Sequence, residues 1–403
     1  MRSPKTIQVI QAGVLSLLGV GLGCSSPVAF EHGAGGATFI SSVSGGGASS
    51  SSSANDSSSG TETFCPLTYC SGACVDTESD AAHCGGCGHD CRGGPCEKWR
   101  CEPVTLASGQ ESHKLRAIAL DAARLYWAVD QGNTLKTLPI EGGSPSVLMA
   151  GVPRLDSMAI DATHVYWVHG RATAMTAALI EKAPLVGGAR QTLATIQGSL
   201  GDIVVDATHL YWRQEEYDYE DMTDLPDKIM KLPLGGGSPI TLAGGQTRPH
   251  GLAVDATNVY WAAAYQGIYG LLKVPITGGS VTIVRVEPSR IYDIAVDGTS
   301  IYWTRYHSGN EPDGVVMKMP LGGGEPIPLA TTQISPESVA VDATHVYWAN
   351  NRWALGSIMK VPLEGGEPIE VAVEQSGPDA MAIDAQHVYW VNVFEGTVKR
   401  VVK

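Results

Sequence analysis

One motif occurs seven times in the C-terminal three quarters of the chain, and it limits the fold more than any other feature. In each copy a short apolar run ends in Asp, a small turn follows, and the next segment ends in Tyr-Trp. The seven tryptophans are Trp127, Trp167, Trp212, Trp261, Trp303, Trp348 and Trp390. Their spacings of 40, 45, 49, 42, 45 and 42 residues match the length of a four-stranded propeller blade. The sequence therefore predicts an all-β protein with a seven-bladed β-propeller over residues 102–403.

Each repeat is predicted to contain four strands, named a to d. In the sixth repeat the apolar run before Asp342 is strand a, and the segment ending in Tyr-Trp is strand b. Residues 358–363 follow as strand c, and residues 368–371 follow a Gly-Gly turn as strand d. The Asp carboxylate can accept backbone N–H groups in the a–b turn, and the glycines supply the positive φ of the c–d hairpin. The large, flat Tyr and Trp side chains suit packing between neighbouring blades.

The two ends of the repeat region predict how the ring closes. The seventh repeat stops after residues 397–403, which have the strand c pattern, so its fourth strand is missing. Residues 102–107 have the strand d pattern seen at 238–243. We therefore expect this N-terminal strand to complete the last blade, which leaves no open edge in the ring.

The repeat resembles the YWTD-type propeller repeats of lipoprotein-receptor ectodomains through its Ala-Val-Asp and Tyr-Trp core. The resemblance covers residues 102–403, although this chain has seven repeats where that family has six. The residue after Trp is Ala, Val, Arg or Thr in place of the acidic residue that ends the YWTD signature. The resemblance implies propeller geometry and an extracellular binding role, without indicating a ligand.

The N-terminal residues have the pattern of an export signal. Arg2 and Lys5 precede an apolar run over residues 7–22, and small residues precede Cys24. Residues 1–23 resemble a bacterial lipoprotein signal peptide, which implies that Cys24 is acylated and becomes the new N-terminus. Ser25 resembles the sorting signal for the outer membrane, facing either the periplasm or the cell surface. An uncleaved membrane anchor is the alternative interpretation of this short run.

Residues 24–64 are predicted to be a flexible linker, because residues 33–59 are mostly Gly, Ser and Ala. Residues 65–101 then form a Cys-rich module. Eight cysteines in 37 residues at an oxidising location favour four structural disulfides. Zinc binding and a redox role for the Cys-Gly-Gly-Cys segment are the alternatives. The module resembles a Cys-rich element of secreted bacterial proteins, and we expect a rigid spacer or cap on the propeller. Its cysteines are Cys65, Cys70, Cys74, Cys84, Cys87, Cys91, Cys96 and Cys101.

A first candidate site lies at the mouth of the central channel, where the a strands begin. Aligning the repeats places there five carboxylates with one His and one Arg. These side chains could bind a divalent cation such as Ca²⁺ or Mg²⁺ or act as acid/base pairs, although a hydrated channel mouth would have the same composition. The predicted residues are Arg116, Asp156, Asp202, His250, Tyr292, Asp293, Glu337 and Asp379.

A second candidate site lies on the face formed by the b–c and d–a loops, here called the variable-loop face. The b–c loops vary most in length, and the longest is predicted over residues 213–227, which include seven acidic residues from Glu215 onward. The opposite face, here called the turn face, carries the nearly identical Asp-containing and Gly-Gly turns. Variable loops on a rigid scaffold favour recognition, and exposed aromatic and Arg side chains suit binding. The candidates are Tyr217, Tyr265, Tyr306, His307, Arg352 and Trp353.

Charge and motif content narrow the functional classes. The formal net charge of −14 and the lack of basic clusters argue against a nucleic-acid partner, and self-repulsion favours a monomer. The sequence has no nucleophile elbow, His-Glu-x-x-His motif or phosphate loop. We therefore expect a membrane-tethered binding protein for a protein, peptide or glycan ligand. The alternative is a propeller enzyme of the metal-dependent lyase or lactonase type, acting at the channel mouth.

Overall fold

The computed structural model describes residues 68–403 except 71–72, 111–114, 130–132, 153–154, 170–176, 219–222, 266–267 and 308–310. The predicted signal peptide, the linker, Cys24 and Cys65 lie outside the described residues. The side chains of Arg116, Asp156, Tyr217 and Tyr265 also lie outside the description, although their backbones are assigned to strands.

The described part of the propeller consists of seven antiparallel four-stranded sheets, which confirms the predicted fold. Blade 1 contains Leu115–Leu120, Arg124–Val129, Thr134–Pro139 and Ser146–Ala150. Blade 2 contains Leu155–Ile160, His164–His169, Ala178–Pro184 and Gln191–Ile196. Blade 3 contains Ser199–Val205, His209–Asp218, Thr223–Pro233 and Ile240–Gln246. Blade 4 contains His250–Val254, Asn258–Tyr265, Ile268–Pro275 and Thr282–Glu287. Blade 5 contains Arg290–Val296, Ser300–Tyr306, Gly314–Pro320 and Ile327–Gln333. Blade 6 contains Pro336–Val341, His345–Asn350, Gly356–Pro362 and Ile369–Gln375.

Blade 7 is built from both ends of the propeller. Its strands a to c are Pro378–Ile383, His387–Asn392 and Thr397–Val402, and its strand d is the N-terminal segment Val104–Ala107. The pairing is antiparallel, with Arg400 opposite Val104 and Lys399 opposite Thr105. The predicted closure of the ring is therefore confirmed.

The Asp and Tyr of each repeat form one hydrogen-bonded unit. In blade 2 one carboxylate oxygen of Asp161 accepts the backbone N–H groups of Thr163 and His164, at 2.6 and 2.8 Å. The other oxygen accepts the hydroxyl of Tyr166 at 2.6 Å. All seven blades contain this Tyr–Asp hydrogen bond, at 2.6–3.0 Å. The carboxylate therefore closes the a–b turn and fixes strand b in the same step.

The hydrophobic core lies between the blades. All seven repeat tryptophans are 0 % exposed. Each packs in one cluster with the repeat Tyr of the preceding blade, as Trp167 does with Tyr126 and Trp212 does with Tyr166. The series ends with Trp127 packed in the cluster that contains Tyr389. This last interface joins blades 7 and 1, so it depends on ring closure.

A basic residue in strand c also joins neighbouring blades, a role that was not predicted from the sequence. The ammonium groups of Lys182, Lys231 and Lys318 donate to backbone carbonyls of the next blade at 2.6–2.8 Å. Arg400 donates to the carbonyl of Ile140 in the same way, from blade 7 to blade 1. The sequence signal is a Lys two positions before the Pro that ends strand c.

The Cys-rich module is held by disulfides, as predicted. Its described part contains the pairs Thr68–Cys70 with Ala73–Val75 and Cys96–Glu97 with Arg100–Cys101. Disulfides join Cys70 to Cys87, Cys84 to Cys96 and Cys91 to Cys101, and Cys74 is also disulfide-bonded. Because these sulfurs are bonded to each other, they are not available to zinc as thiolates.

The module contacts blades 6 and 7. Arg92 donates to the Gln386 side chain at 3.0 Å, and Gln386 belongs to the a–b turn of blade 7 on the turn face. Arg100 lies 3.6 Å from the carboxylate of Glu370 in blade 6. The module therefore acts as a cap on the propeller.

Among the residues that the structure describes, none forms a helix long and apolar enough to cross a membrane.

We predict that the turn carboxylates make the fold sensitive to acid. Burial alone would raise their pKa values, but hydrogen bonds lower the pKa below its ordinary value in six blades. In blades 2 to 5 the donors are the repeat Tyr and the turn N–H groups. In blades 6 and 7 the side chains of Lys403 and His387, respectively, lower the pKa most, together with the turn N–H groups. A depressed folded-state pKa stabilises the protein above the unfolded pKa, and this contribution is lost as the pH falls through the folded value. The urea midpoint should therefore fall steeply below about pH 4.

Asp161→Asn serves as the matched control for this prediction. It should destabilise the protein by about 1.5–3 kcal/mol at pH 7, the usual range for hydrogen bonds to a charged group, and should reduce the dependence on pH. A urea midpoint that stays constant from pH 6 to pH 3 in the wild type would contradict the prediction.

Candidate functional site

The a strands are irregular where they line the channel mouth. In all seven blades the a–b register shifts near the start of strand a. The predicted mouth residues lie at or within these β-bulges, which leave residues unpaired and redirect their side chains. The bulge therefore explains why polar residues are tolerated at the innermost edge of otherwise apolar strands.

Two of the predicted mouth carboxylates join neighbouring blades. Asp202 in blade 3 accepts the backbone N–H of Gly251 in blade 4 at 3.1 Å. Asp293 in blade 5 accepts the N–H of Val339 in blade 6 at 2.9 Å and is 4 % exposed. Ser157 accepts the N–H of Ile203 at 3.3 Å from the corresponding position of blade 2. These side chains hold the innermost strands together.

Glu337 lies in a second cluster with two stacked tyrosines. The hydroxyl of Tyr306 donates to Glu337 at 2.7 Å, and Asn351 donates to its other oxygen at 3.1 Å. The Tyr306 and Tyr292 rings are stacked 3.8 Å apart, with the Arg290 guanidinium 4.9 Å from the Tyr292 ring. Burial raises the pKa of Glu337, and the hydrogen bonds and the Arg290 charge only partly oppose it. The cluster is therefore a half-buried polar network around the buried Tyr306.

Tyr306 corrects one sequence-based assignment. It was predicted to be exposed on the variable-loop face, but it is 4 % exposed and packs at the channel mouth. The physical reason is that strand b extends to Tyr306. Its ring therefore remains beside the a strands and Tyr292.

In blade 3 the space at the mouth next to Gly201 is occupied by the Arg213 side chain, which was not among the predicted site residues. Gly201 has no side chain, and a Cβ there would overlap the Arg213 guanidinium. Arg213 is paired with Glu215 and lies 4.0 Å from Asp202. The sequence signal for this arrangement was Gly201 itself, a glycine at a position where most other repeats have a polar side chain. It indicated that a side chain from elsewhere could fill the space.

His250 is enclosed by backbone. Its Nδ1 lies 2.9 Å from the carbonyl oxygen of Arg248, and its Nε2 contacts the carbonyl oxygen of Ile291. Burial lowers the His250 pKa, and the positive charges of Arg290 and Arg213 lower it further, against the effect of the two carbonyls.

The predicted cation site is not assembled by the described residues. Among the described His, Cys, Asp and Glu residues, three ligand atoms lie within 4.8 Å of one another at Cys84, Cys91 and Cys101. These sulfurs belong to the Cys-rich module and are in disulfides. Asp379 lies half-buried on strand a of blade 7. The prediction for Arg116 and Asp156 concerns side chains outside the described residues.

The acidic segment of blade 3 also differs from the expectation. It was predicted to be part of a long b–c loop, but strand b continues to Asp218 and strand c begins at Thr223. Most of the segment is therefore a β-hairpin, whose register places Glu216 opposite Leu225. Extended pairing was not expected because seven acidic residues have low β propensity.

The described part of the variable-loop face presents an aromatic pair. The Trp353 side chain is 74 % exposed and stacks on Phe394 of the next blade, with ring centroids 4.9 Å apart. Arg352 is exposed beside it, and Leu355 is 62 % exposed. His307 is exposed near Asp313 of its own loop, with its Nδ1 3.5 Å from the carboxylate. The predictions for Tyr217 and Tyr265 concern side chains outside the described residues.

The chain was compared with known proteins. No protein-family model and no curated protein matches it. Among solved structures, virginiamycin B lyase from Staphylococcus aureus matches with 10 % identity and a TM-score of 0.57, over 75 % of this chain and 98 % of the other. An oligogalacturonate lyase in complex with manganese matches with 12 % identity and a TM-score of 0.56, over 73 % and 89 %.

A nidogen/laminin complex also matches, with 17 % identity and a TM-score of 0.45, over 60 % of this chain and 89 % of the other. At these identities the similarity concerns the fold. The comparisons with a TM-score above 0.5 therefore support a β-propeller fold, which in these structures belongs to enzymes.

Proposed function

We propose that this protein is an exported binding protein whose variable-loop face recognises a protein, peptide or glycan. The main support is the exposed Trp353 stacked on Phe394. Exposed aromatic and Arg side chains on a rigid scaffold are the usual anchors of binding sites. Because the ring fixes blades 6 and 7 relative to each other, the two rings are held in place before any ligand binds.

The channel mouth supports binding over catalysis. A polar residue at the mouth needs no catalytic explanation where its hydrogen bonds give it a structural role between blades. Asp202, Asp293 and Glu337 already accept hydrogen bonds from groups of the protein. These bonds have a structural role between blades, so the mouth is better explained as part of the scaffold.

The position of the Cys-rich module supports a tethered arrangement. The module contacts the turn face through Arg92 and Gln386, and the chain enters strand d of blade 7 directly after Cys101. With lipidation at Cys24 and a flexible linker over residues 24–64, the protein would be tethered to the membrane through the module, and the variable-loop face would remain accessible to a ligand. We propose an outer-membrane lipoprotein that acts as a monomer.

We predict that ligand binding depends on the aromatic pair. Protein produced from the full-length gene would be screened against a displayed peptide library and a glycan array. Trp353→Ala should weaken the affinity of any ligand found by about 30-fold or more, the effect of losing a central aromatic anchor. Trp99→Ala removes another exposed Trp, located on the module, and should change nothing. The proposal fails if no ligand of any class is found, or if every ligand binds Trp353→Ala as tightly as the wild type.

We predict that membrane attachment requires Cys24. Cys24→Ser removes the thiol that would be acylated, so mass spectrometry should detect no lipid and fractionation should recover the protein outside the membrane fraction. Ser25→Ala is the matched control and should retain the lipid. Membrane recovery of unmodified Cys24→Ser would instead support an uncleaved anchor.

A further inference from the structure

A cleft lies between blades 5 and 6 beside the Trp353 loop. It has a volume of about 230 Å³, and its walls include Thr332 and Gln333 from blade 5 and Asn350, Arg352, Leu355 and Ser357 from blade 6. The cleft is therefore small, and most of these side chains are polar. Two of them flank Trp353 in the b–c loop of blade 6.

Asn350 lines this cleft and has an unsatisfied hydrogen-bond acceptor. The residue is 9 % exposed, and its amide NH₂ donates to Gln333 at 3.0 Å and to Ser357 at 3.1 Å. Its amide oxygen is buried and has no hydrogen-bond partner among the described residues. A buried acceptor without a donor is costly, so a donor from outside the chain would be stabilising here.

Blade 7 provides an internal comparison. Asn392 occupies the same position, two residues after the repeat Trp, and donates to Gln375 at 3.0 Å. Its oxygen accepts the indole N–H of Trp390 at 3.0 Å. In both blades the indole N–H also donates to the Gln that ends strand d, from Trp390 to Gln375 at 3.3 Å and from Trp348 to Gln333 at 3.1 Å. In blade 6 the Asn350 oxygen has no hydrogen bond from the indole or from another described group. The same arrangement is thus satisfied internally in blade 7 and left with a free acceptor in blade 6, where the cleft lies.

We infer that this cleft, together with Trp353, binds a carbohydrate unit; the inference rests on the proposed binding function and names its ligand class. A sugar hydroxyl can donate to the Asn350 oxygen, and other hydroxyls can accept from the Arg352 guanidinium. The apolar C–H face of a pyranose ring can pack on the exposed Trp353 ring. The cleft lies below the roughly 300–1,000 Å³ of drug-sized sites, which favours one sugar ring at the end or in the middle of a glycan.

The composition of the site favours a glycan over a Pro-rich peptide. Recognition of a polyproline helix uses a groove lined with several aromatic rings. Here the described walls combine two amides, two hydroxyls, one guanidinium and the carboxylate of Glu370, and Trp353 lies in the adjacent loop. A hydroxylated ring satisfies these groups, whereas a proline ring offers no donor to the Asn350 oxygen.

The test uses an array of defined neutral and acidic oligosaccharides and protein produced from the full-length gene. We expect at least one oligosaccharide to bind, with an affinity reduced about tenfold or more in Trp353→Ala and in Asn350→Ala, as for loss of an aromatic or hydrogen-bonding anchor. Trp99→Ala and Ser376→Ala are the controls. Arg352→Ala, an exposed position, replaces Asn350→Ala if that variant has a lower melting temperature.

A spectroscopic measurement locates the sugar directly. Of the nine tryptophans, seven are 0 % exposed, and only Trp99 and Trp353 are among the exposed large hydrophobics. In a Trp99→Phe background, acrylamide should therefore quench mainly Trp353. The bound oligosaccharide should reduce this quenching.

The outcomes separate the inference from the proposed function. Sugars that bind equally to Trp353→Ala and Asn350→Ala, or that leave quenching unchanged, overturn the inference. A peptide or protein that requires Trp353, with no sugar bound, also overturns it but supports the proposed function. Absence of any ligand overturns both.

Discussion

The ladder between Val104–Ala107 and Thr397–Val402 is the interaction on which the rest of the structure depends. Each blade packs on the next through one Tyr and one Trp, and the interface between blades 7 and 1 exists only when the ring is closed. Closure also pairs the edge of strand c in blade 7, so that all seven blades have four strands. Without it, blade 7 would lose its outer strand and the closed ring that supports it. Phe394 would then be held beside Trp353 only by the interface between blades 6 and 7.

The fold could be predicted from the sequence because its signals are local and repeated. Asp, Tyr and Trp recur at a constant offset, and the structure shows one reason: a single carboxylate binds the turn and the Tyr hydroxyl in every blade. The repeat pattern also predicted the ring closure. The seventh repeat ends after strand c, so its fourth strand had to come from another part of the chain.

The site was less predictable because its residues are brought together across blades. Tyr306 looked like a loop residue, and only the extra length of strand b places it against Glu337. The Arg213 guanidinium fills the space left by Gly201. Predicting this contact would require the register in which strand b pairs with strand a in blade 3. The Asn350 oxygen is unsatisfied because the Trp348 indole donates to Gln333 without also donating to the Asn, as the Trp390 indole does in blade 7. The identity of these residues does not determine that difference.

Hydrogen–deuterium exchange over the two terminal strands tests the account most directly. If the ring is closed as described, the paired amides of 104–107 and 397–402 should exchange as slowly as those of the b strands, because they open only with the whole ring. Exchange of residues 104–107 within seconds, while the b strands remain protected, would show that the N-terminal strand does not close the propeller and would contradict the account.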